Sequence, residues 1–350
     1  MMKEHLLSIC IPTYNNADCL KECLENILPQ AQPYSIPIFV SDNASPDDTI
    51  EILSEFQKEY PLLYFRSNSK NLGFDQNLMK ATEMASSEYV WSLGDRRRLL
   101  PNAVGKVYHT IENNRPDLLL LNNDSVSQPK TTLSADTTFH SAKDVLQDLS
   151  MNAGTLGLQI LPAKAWKTKT LKKYVQDKKY SGWIHLHAIF EFLNSLTSMN
   201  VLFLAKPLVT SSNRYDLSWT NKTFQMWSTW KNSIYALPAL TLETKKTVVN
   251  RTGSLGFFSI KTLLTLRSNG AYNEKIFNSC QEDFLEYSMT PLGVARAISK
   301  MPMWFLRLYY ELYALGRALL RKLVHSNYPL NPIHIKLGAK DTRARVIRTR

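Results

Sequence analysis

Short apolar runs and amphipathic stretches alternate from the first residues to about residue 125, and this alternation restricts the fold more than any other feature of the chain. Leu6 to Ile11 is a strand-forming run that ends at Pro12. Asp18 suits the start of a helix in which Leu20, Cys23, Leu24, Ile27 and Leu28 share one face. Ile36 to Val40 is a second run, and Asp42-Asn43-Ala44-Ser45-Pro46-Asp47-Asp48 is turn chemistry leading into a helix through Ile52, Leu53 and Phe56. Leu62 to Phe65 reads as a third strand, Phe74 to Ala85 as a helix, and Tyr89 to Leu93 as a fourth strand stopping at Gly94-Asp95. A helix after Pro101 and the apolar run Leu118 to Leu121 complete the series. Strands joined by helices run largely parallel, because each crossover must return the chain to the same edge of the sheet. The expected fold class is therefore α/β, a mostly parallel sheet with helices on both faces.

In such sheets ligands bind beyond the carboxyl ends of the strands. Polar residues collect there: Thr13-Tyr14-Asn15 after the first strand, Asp42-Asn43 after the second, Gly94-Asp95 after the fourth. One cluster alone would be a set of turn formers; three at one edge point to a site. No Gly-x-Gly-x-x-Gly follows the first strand and no Gly-Lys-Ser or Gly-Lys-Thr phosphate loop occurs, which argues against a dinucleotide dehydrogenase and a P-loop NTPase.

The net charge of +12 is unevenly placed. Residues 296–350 hold twelve Lys and Arg against Glu311 and Asp341, so the chain before them is close to neutral. A neutral body with a basic tail suits an enzyme held at an anionic surface or one with a nucleic-acid arm; no base-reading motif accompanies the tail, so nucleic acid is not an expected partner. The four cysteines, Cys10, Cys19, Cys23 and Cys280, are too few for a disulfide framework and lack the spacing of a zinc site, which fits a reducing compartment. The apolar run after His5 stops at Pro12, too short for a signal-peptide core. Met301 to Leu320 is interrupted by Arg307, Glu311 and Arg317, each costing about 2.5–3.5 kcal/mol at a bilayer centre. The expected location is cytoplasmic.

Four segments carry a resemblance. Ser8-Ile9-Cys10-Ile11-Pro12-Thr13-Tyr14-Asn15, Val40-Ser41-Asp42-Asn43-Ala44-Ser45-Pro46-Asp47, Asn71-Leu72-Gly73 and Val90-Trp91-Ser92-Leu93-Gly94-Asp95 resemble, in order and spacing, the successive motifs of family 2 glycosyltransferases. The resemblance covers about residues 5–125. It implies a GT-A (Rossmann-like) fold, a nucleotide-diphosphate sugar donor, inversion at the anomeric carbon and a place in bacterial cell-envelope polysaccharide synthesis. It also implies that Pro12, Thr13, Tyr14 and Asn15, with Asp42 and Asn43, hold the nucleotide base, and that Asn71 and Gly73 lie beside the nucleotide. The chemistry agrees, since a Tyr ring offers a stacking face and a carboxylate accepts from a base N–H. Asn77 is a weaker candidate, because a helical Asn is usually solvated.

Gly94-Asp95-Arg96-Arg97-Arg98 departs from the family pattern. Relatives continue with further aspartates, an Asp-x-Asp-type motif that binds Mn²⁺ or Mg²⁺ at the donor's phosphates. Here Asp95 is the one carboxylate of that motif and Arg96 and Arg97 follow it, a poor divalent site. Two readings stay open: an arginine, Arg97 foremost, meets the charge of the leaving diphosphate, or the site is catalytically impaired and the protein binds a nucleotide sugar or a partner enzyme. Asp95 can still reach the donor ribose. The residue that deprotonates the acceptor lies, by resemblance, near Asp177-Lys178-Lys179-Tyr180-Ser181-Gly182-Trp183-Ile184-His185-Leu186-His187; His185 is the chosen base, with His187 and Asp216 as further candidates and Glu191 read as surface.

The remaining chain is less explicit. Residues 126–290 are expected to form the acceptor-side half, with an irregular connection over 123–145 and Ile189 to Leu193 as a short apolar run. Trp219, Trp227 and Trp230 read as core before they read as sugar platforms. Residues 291–350 form a mainly helical C-terminal extension, whose apolar stripe from Leu292 to Val324, interspersed with Arg and Lys, suits an anionic membrane surface as well as a docked helix. The expected activity is transfer of a sugar to a lipid-linked or polymeric glycan, with 1–125 as the nucleotide-sugar half.

Overall fold

The computed structural model describes residues 5–124, 133–149, 158–211, 222–310 and 312. In chain order the first elements are β1 (Leu7–Thr13), α1 (Ala17–Ala31), β2 (Ile38–Asp42), α2 (Thr49–Glu59), β3 (Leu63–Ser67), α3 (Phe74–Glu83), β4 (Tyr89–Ser92), β5 (Arg97–Leu99), α4 (Ala103–Asn114) and β6 (Leu118–Asn123). They follow the predicted alternation except for β5. Its Arg97-Arg98-Leu99 contains no apolar run, and it becomes a strand by pairing antiparallel with a segment more than a hundred residues away, Arg97 opposite Ser211 and Leu99 opposite Val209.

Beyond β6 come β7 (Thr137–Phe139), α5 (Ala142–Leu149), β8 (Gln159–Pro162), α6 (Ala163–Trp166), α7 (Leu171–Gln176), α8 (Ile184–Asn194) and β9 (Val201–Ser211). The sheet order is β3-β2-β1-β4-β8-β6-β9-β5, with β7 on β9. β3, β2, β1 and β4 are mutually parallel, as expected. From β8 onward the sheet is mixed: β8 runs antiparallel to both β4 and β6, while β6 and β9 are parallel. Strands from both expected halves of the catalytic region thus share one sheet.

Alternate residues along each strand enter opposite layers, as the pleat requires. Ile9, Ile11, Ile38, Val40, Trp91, Leu119 and Leu121 pack with Leu20, Leu24 and Ile27 of α1 and Val104, Val107 and Ile111 of α4. Cys10, Phe39, Val90, Leu118 and Leu120 face the other way, onto Leu78 and Ala81 of α3 and the apolar side of α8. Helices therefore cover both faces.

Three local readings change. Asp18 sits in the first turn of α1, whereas Asn16 holds the cap position and the Ala17 N–H donates to Asp47 Oδ2 at 2.8 Å. The stretch 123–145 contains β7 and the start of α5, and Ile189 to Leu193 lies inside α8, whose residues are buried nearly all round and so lack the one-sided periodicity of a surface helix. The Leu292–Val324 stripe is not one helix in its described part: a helix at Leu292–Lys300 ends before Pro302, and helix resumes at 303.

The rest of the body is helical: α9 (Thr223–Ala236), α10 (Leu242–Thr252), α11 (Ile260–Ser268), α12 (Glu274–Ser279), α13 (Gln281–Tyr287) and α14 (Leu292–Lys300). Trp227 and Trp230 are fully buried in it, core residues as expected; Trp219 lies outside the described residues. The chain divides into units Met1–Arg307 and Leu308–Arg350; of the second, Leu308, Tyr309, Tyr310 and Leu312 are described and helical. Among the described residues no helix is long and apolar enough to cross a membrane.

Candidate functional site

β2 and β3 lie on one side of β1 and β4 on the other, so the chain reverses its direction of sheet growth between β1 and β4. A crevice opens at the carboxyl ends of strands at such a point. Pro12 suits its place there. The backbone of Ile9 and Thr13 bonds toward β2 and that of Cys10 toward β4, so the missing N–H of Pro12 faces the β4 side, beyond the last β1–β4 pair at Cys10 and Ser92. Across this gap Thr13 Oγ1 donates to Asp95 Oδ2 at 2.8 Å. Burial holds the Asp95 carboxyl above the usual carboxylate range, outweighing donors from Asn16, Thr13 and Arg96.

Behind the crevice stands Asn77, 2% exposed. Its Nδ2 donates to the carbonyls of Thr13 (3.1 Å) and Ser41 (3.0 Å), and its Oδ1 accepts from Ser41 Oγ (2.7 Å) and Asn68 Nδ2 (3.0 Å). The expected solvated helical Asn is in fact a fully bonded strut joining α3 to β1 and β2. Asn43 works similarly: Nδ2 donates to Asn71 Oδ1 at 2.9 Å, and Oδ1 accepts from the Leu72 N–H at 2.9 Å. Gly73, at φ +84°, opens α3 in a conformation that favours glycine, and its N–H donates to Asn71 Oδ1.

Asp42 is completely buried; it accepts from Ser67 Oγ at 2.6 Å and from the Ser45 N–H at 3.1 Å. Tyr14, 45% exposed, presents its ring to solvent. Asn15 takes φ +48°, and its N–H donates to Ser45 Oγ, locking the first loop to the second. Pro12, Thr13, Asp42, Asn43, Asn71, Gly73, Asn77 and Asp95 are thus drawn into one polar edge, with Tyr14 and Asn15 on its first loop. Ser41, Ser67, Asn68 and Asp47 belong to it too; as small polar residues at strand ends and in loops they carried no signal of their own.

The three arginines separate. Arg98 is a strut: it donates to Glu22 Oε2 at 2.6 Å and to the carbonyls of Cys19, Asp95 and Arg97. The Arg97 N–H closes a turn onto the Gly94 carbonyl, and its Cγ lies 3.9 Å from where a Cβ on Gly94 would stand, so its stem folds over the turn after β4. This donor set does not fit a divalent cation. Asp95 already takes a hydroxyl, Arg96 adjoins it, and no group of three His, Cys, Asp or Glu side chains that could hold a metal occurs among the described residues.

His185 and His187 lie in the first turn of α8. Burial pushes His185 down to about 4 and His187 to about 3, so both are neutral at pH 7. The His187 ring stacks on Tyr174, centroids 3.6 Å apart, and neither ring nitrogen has a hydrogen-bond partner, which makes it a packing group. Glu191, expected at the surface, instead accepts from Tyr174 Oη at 2.6 Å with its side chain 11% exposed. Asp216 lies outside the described residues. A shallow depression of about 250 Å³, lined by Lys179, Tyr180, Asn232, Tyr235 and Ala236, borders the loop before α8. The sequence reading also missed Asp75, whose carboxylate accepts from the Gly182 and Ile184 N–H groups.

The two imidazoles set an acid dependence. Unfolded they protonate near 6.5, folded only near 4 and 3, so their contribution to stability is complete above pH 6.5 and is lost as pH falls through that window. His187→Phe keeps the stack and removes two unpaired buried nitrogens. Denaturation between pH 7 and 4 should show a shallower acid loss and no loss at pH 7. A steeper acid loss, or unfolding at pH 7, would contradict the packing assignment.

Residues 8–177 match the family model described as glycosyl transferase family 2. The chain is 36% identical over 118 residues to an abequosyltransferase of Salmonella typhimurium, covering 33% of this chain and 35% of that one. It is 25% identical over 219 residues to a poly(ribitol-phosphate) beta-glucosyltransferase of Bacillus spizizenii, covering 60% and 31%. It spans about a third of the length of each of these relatives. The structure superposes on S. aureus TarS with a TM-score of 0.52 over 89% of this chain and 92% of that one at 16% identity, a likeness of fold. TarS has also been solved with UDP and with UDP-GlcNAc. With its motif segments gathered at one crevice of a GT-A sheet, the chain is similar through residues 8–177, just under half of its length, to glycosyltransferase family 2.

Proposed function

We propose that the chain is an inverting glycosyltransferase that moves a sugar from a nucleotide-diphosphate donor to a lipid-linked or polymeric glycan of the cell envelope, working on the cytoplasmic side. The observation that carries this reading is the crevice itself: Thr13 and Asp95 bond across the point where the sheet reverses, with Tyr14 and the Asp42 loop on one flank and Arg97 on the other. The names of the relatives, an abequosyltransferase and a poly(ribitol-phosphate) beta-glucosyltransferase, support transfer of a sugar and, for the second, a polymeric acceptor.

In the proposed reaction the Tyr14 ring stacks on the base and Asp42 accepts a base N–H, after exchanging one of its serine bonds. The acceptor oxygen attacks the anomeric carbon while the bond to the diphosphate breaks on the opposite face. The negative charge then developing on the diphosphate needs a cation. Arg97, with its stem over Gly94-Asp95, is placed to supply one, and its guanidinium keeps its charge at neutral pH although burial lowers its pKa. His185 takes the acceptor proton; being neutral at pH 7 it is always in the accepting form, and its rate should fall only as pH drops toward 4.

The C-terminal region is proposed to rest on an anionic membrane. Trp304 and Phe305 are 68% and 51% exposed, next to Arg307 and Lys300. Aromatic rings beside cations suit the headgroup layer.

Two experiments test these assignments. Transfer measured over a panel of nucleotide sugars should persist in EDTA, and Arg97→Ala should lower turnover by about 10²–10³, the cost of one transition-state donor, whereas Arg98→Ala should act on stability. Activity that strictly requires Mn²⁺, or an inactive native chain that gains activity when Arg96 and Arg97 become Asp, would refute the arginine assignment. In vesicle sedimentation the full chain should prefer anionic over neutral lipid, weaken with salt, and lose binding on Trp304→Ser with Phe305→Ser; equal binding to both lipids would exclude the membrane role.

A further inference from the structure

We infer that Asp75 is a positioning residue that locks the acceptor-side helix α8 to the donor-side turn Asn71–Gly73, a role that rests on the glycosyltransferase reading. Asp75 lies in the first turn of α3, two residues after Gly73, and is 7% exposed. Its Oδ2 accepts from the Gly182 N–H at 2.6 Å and its Oδ1 from the Ile184 N–H at 3.1 Å, and the Ser181 side chain adds a third bond. Ile184 is the first residue of α8, and Trp183 at the cap position provides no side-chain acceptor. Asp75 therefore caps α8 from a different element; burial raises its pKa, and the Gly182, Ile184 and Ser181 bonds oppose that shift. Gly182 makes the arrangement possible: at φ +91° it turns the backbone so that two N–H groups converge on one carboxylate.

A remote cap does what a local cap cannot. An Asp or Ser at position 183 would satisfy the helix end equally well, but it would not tie α8 to anything. Here the acceptor comes from over a hundred residues away, on the helix whose Asn77 bonds to the Thr13 and Ser41 carbonyls. Asn77, two residues beyond Asp75, bonds to Thr13 and Ser41, and Gly73 and Asn71 bond to Asn43. One short helix thus holds the donor-side strands through Asn77 and the acceptor-side loop through Asp75. His185 follows Ile184 directly, and Lys179 and Tyr180, just before the anchored residues, line the depression of about 250 Å³. Releasing Asp75 should loosen the acceptor side while leaving the donor side intact.

The test compares the native chain with Asp75→Ala. Hydrogen exchange of the amides at 182–188 should quicken by roughly tenfold or more, while those of β1 and β2 keep their rates. Calorimetry with UDP, GDP, CDP and dTDP should give the same nucleotide affinity within about threefold, and in the transfer assay the acceptor KM should rise by about tenfold with the donor KM unchanged. Gly182→Ala, which keeps the carboxylate but disturbs the φ it depends on, should reproduce the acceptor-specific change and serves as the second variant if Asp75→Ala does not fold. Unchanged exchange at 182–188, or equal loss of nucleotide and acceptor affinity, overturns the proposal. A native chain that transfers no sugar would defeat the glycosyltransferase reading instead, and the exchange and nucleotide measurements would still decide the role of Asp75.

Discussion

A single buried amide sets the geometry at the reversal point of the sheet. Asn77 spends both of its donor hydrogens and both of its acceptor positions on β1, β2 and the loop after β3, so the three segments that approach the crevice from that side are fixed to one side chain. Leaving any of these buried groups unpaired costs about 1–3 kcal/mol, which makes the arrangement nearly all-or-none. From it follow the placement of Thr13, the bond from Thr13 to Asp95 across the gap, and the direction in which α3 leaves the sheet.

The architecture of the first 125 residues is readable from the chain because its strands and helices differ in period, two against three to four, and each strand is long enough to show it. β5 is not readable, since Arg97-Arg98-Leu99 becomes a strand through a partner in β9. The mixed part of the sheet is hidden for the same reason: β8 and β9 are defined by pairing, with nothing local to reveal direction. At the site, Thr13, Tyr14, Asp42 and Asp95 are found through motif order. Asn77 enters only as a weaker candidate and Asp75 escapes, because a polar residue on a helix looks solvated until the element it packs against is known. Both turn out to be buried, and both satisfy backbone groups of other elements.

That use of side chains recurs. The first N–H of α1 is capped by Asp47 from the β2–α2 loop, and that of α8 by Asp75 from α3. The starts of both helices are therefore pinned by carboxylates from other segments, which resists small displacements of either helix. Charge is distributed to match. Asp95 is screened by hydroxyl and amide donors, Arg98 is tied to Glu22 and three carbonyls, and the stem of Arg97 folds over the turn after β4, where the proposed reaction places the diphosphate. An arginine differs from a divalent ion in that its charge is permanent and its planar fork engages two oxygens at once.

The central claim is that nucleotide binds at the β1–β4 reversal. Hydrogen exchange of the full chain with and without each of UDP, GDP, CDP and dTDP tests it most directly. The account predicts that one of these nucleotides slows exchange in the segments around Thr13–Asn16, Asp42–Asp47, Asn71–Asn77 and Asp95–Arg97 together. Protection confined to other segments, or none with any of the four nucleotides, would contradict it.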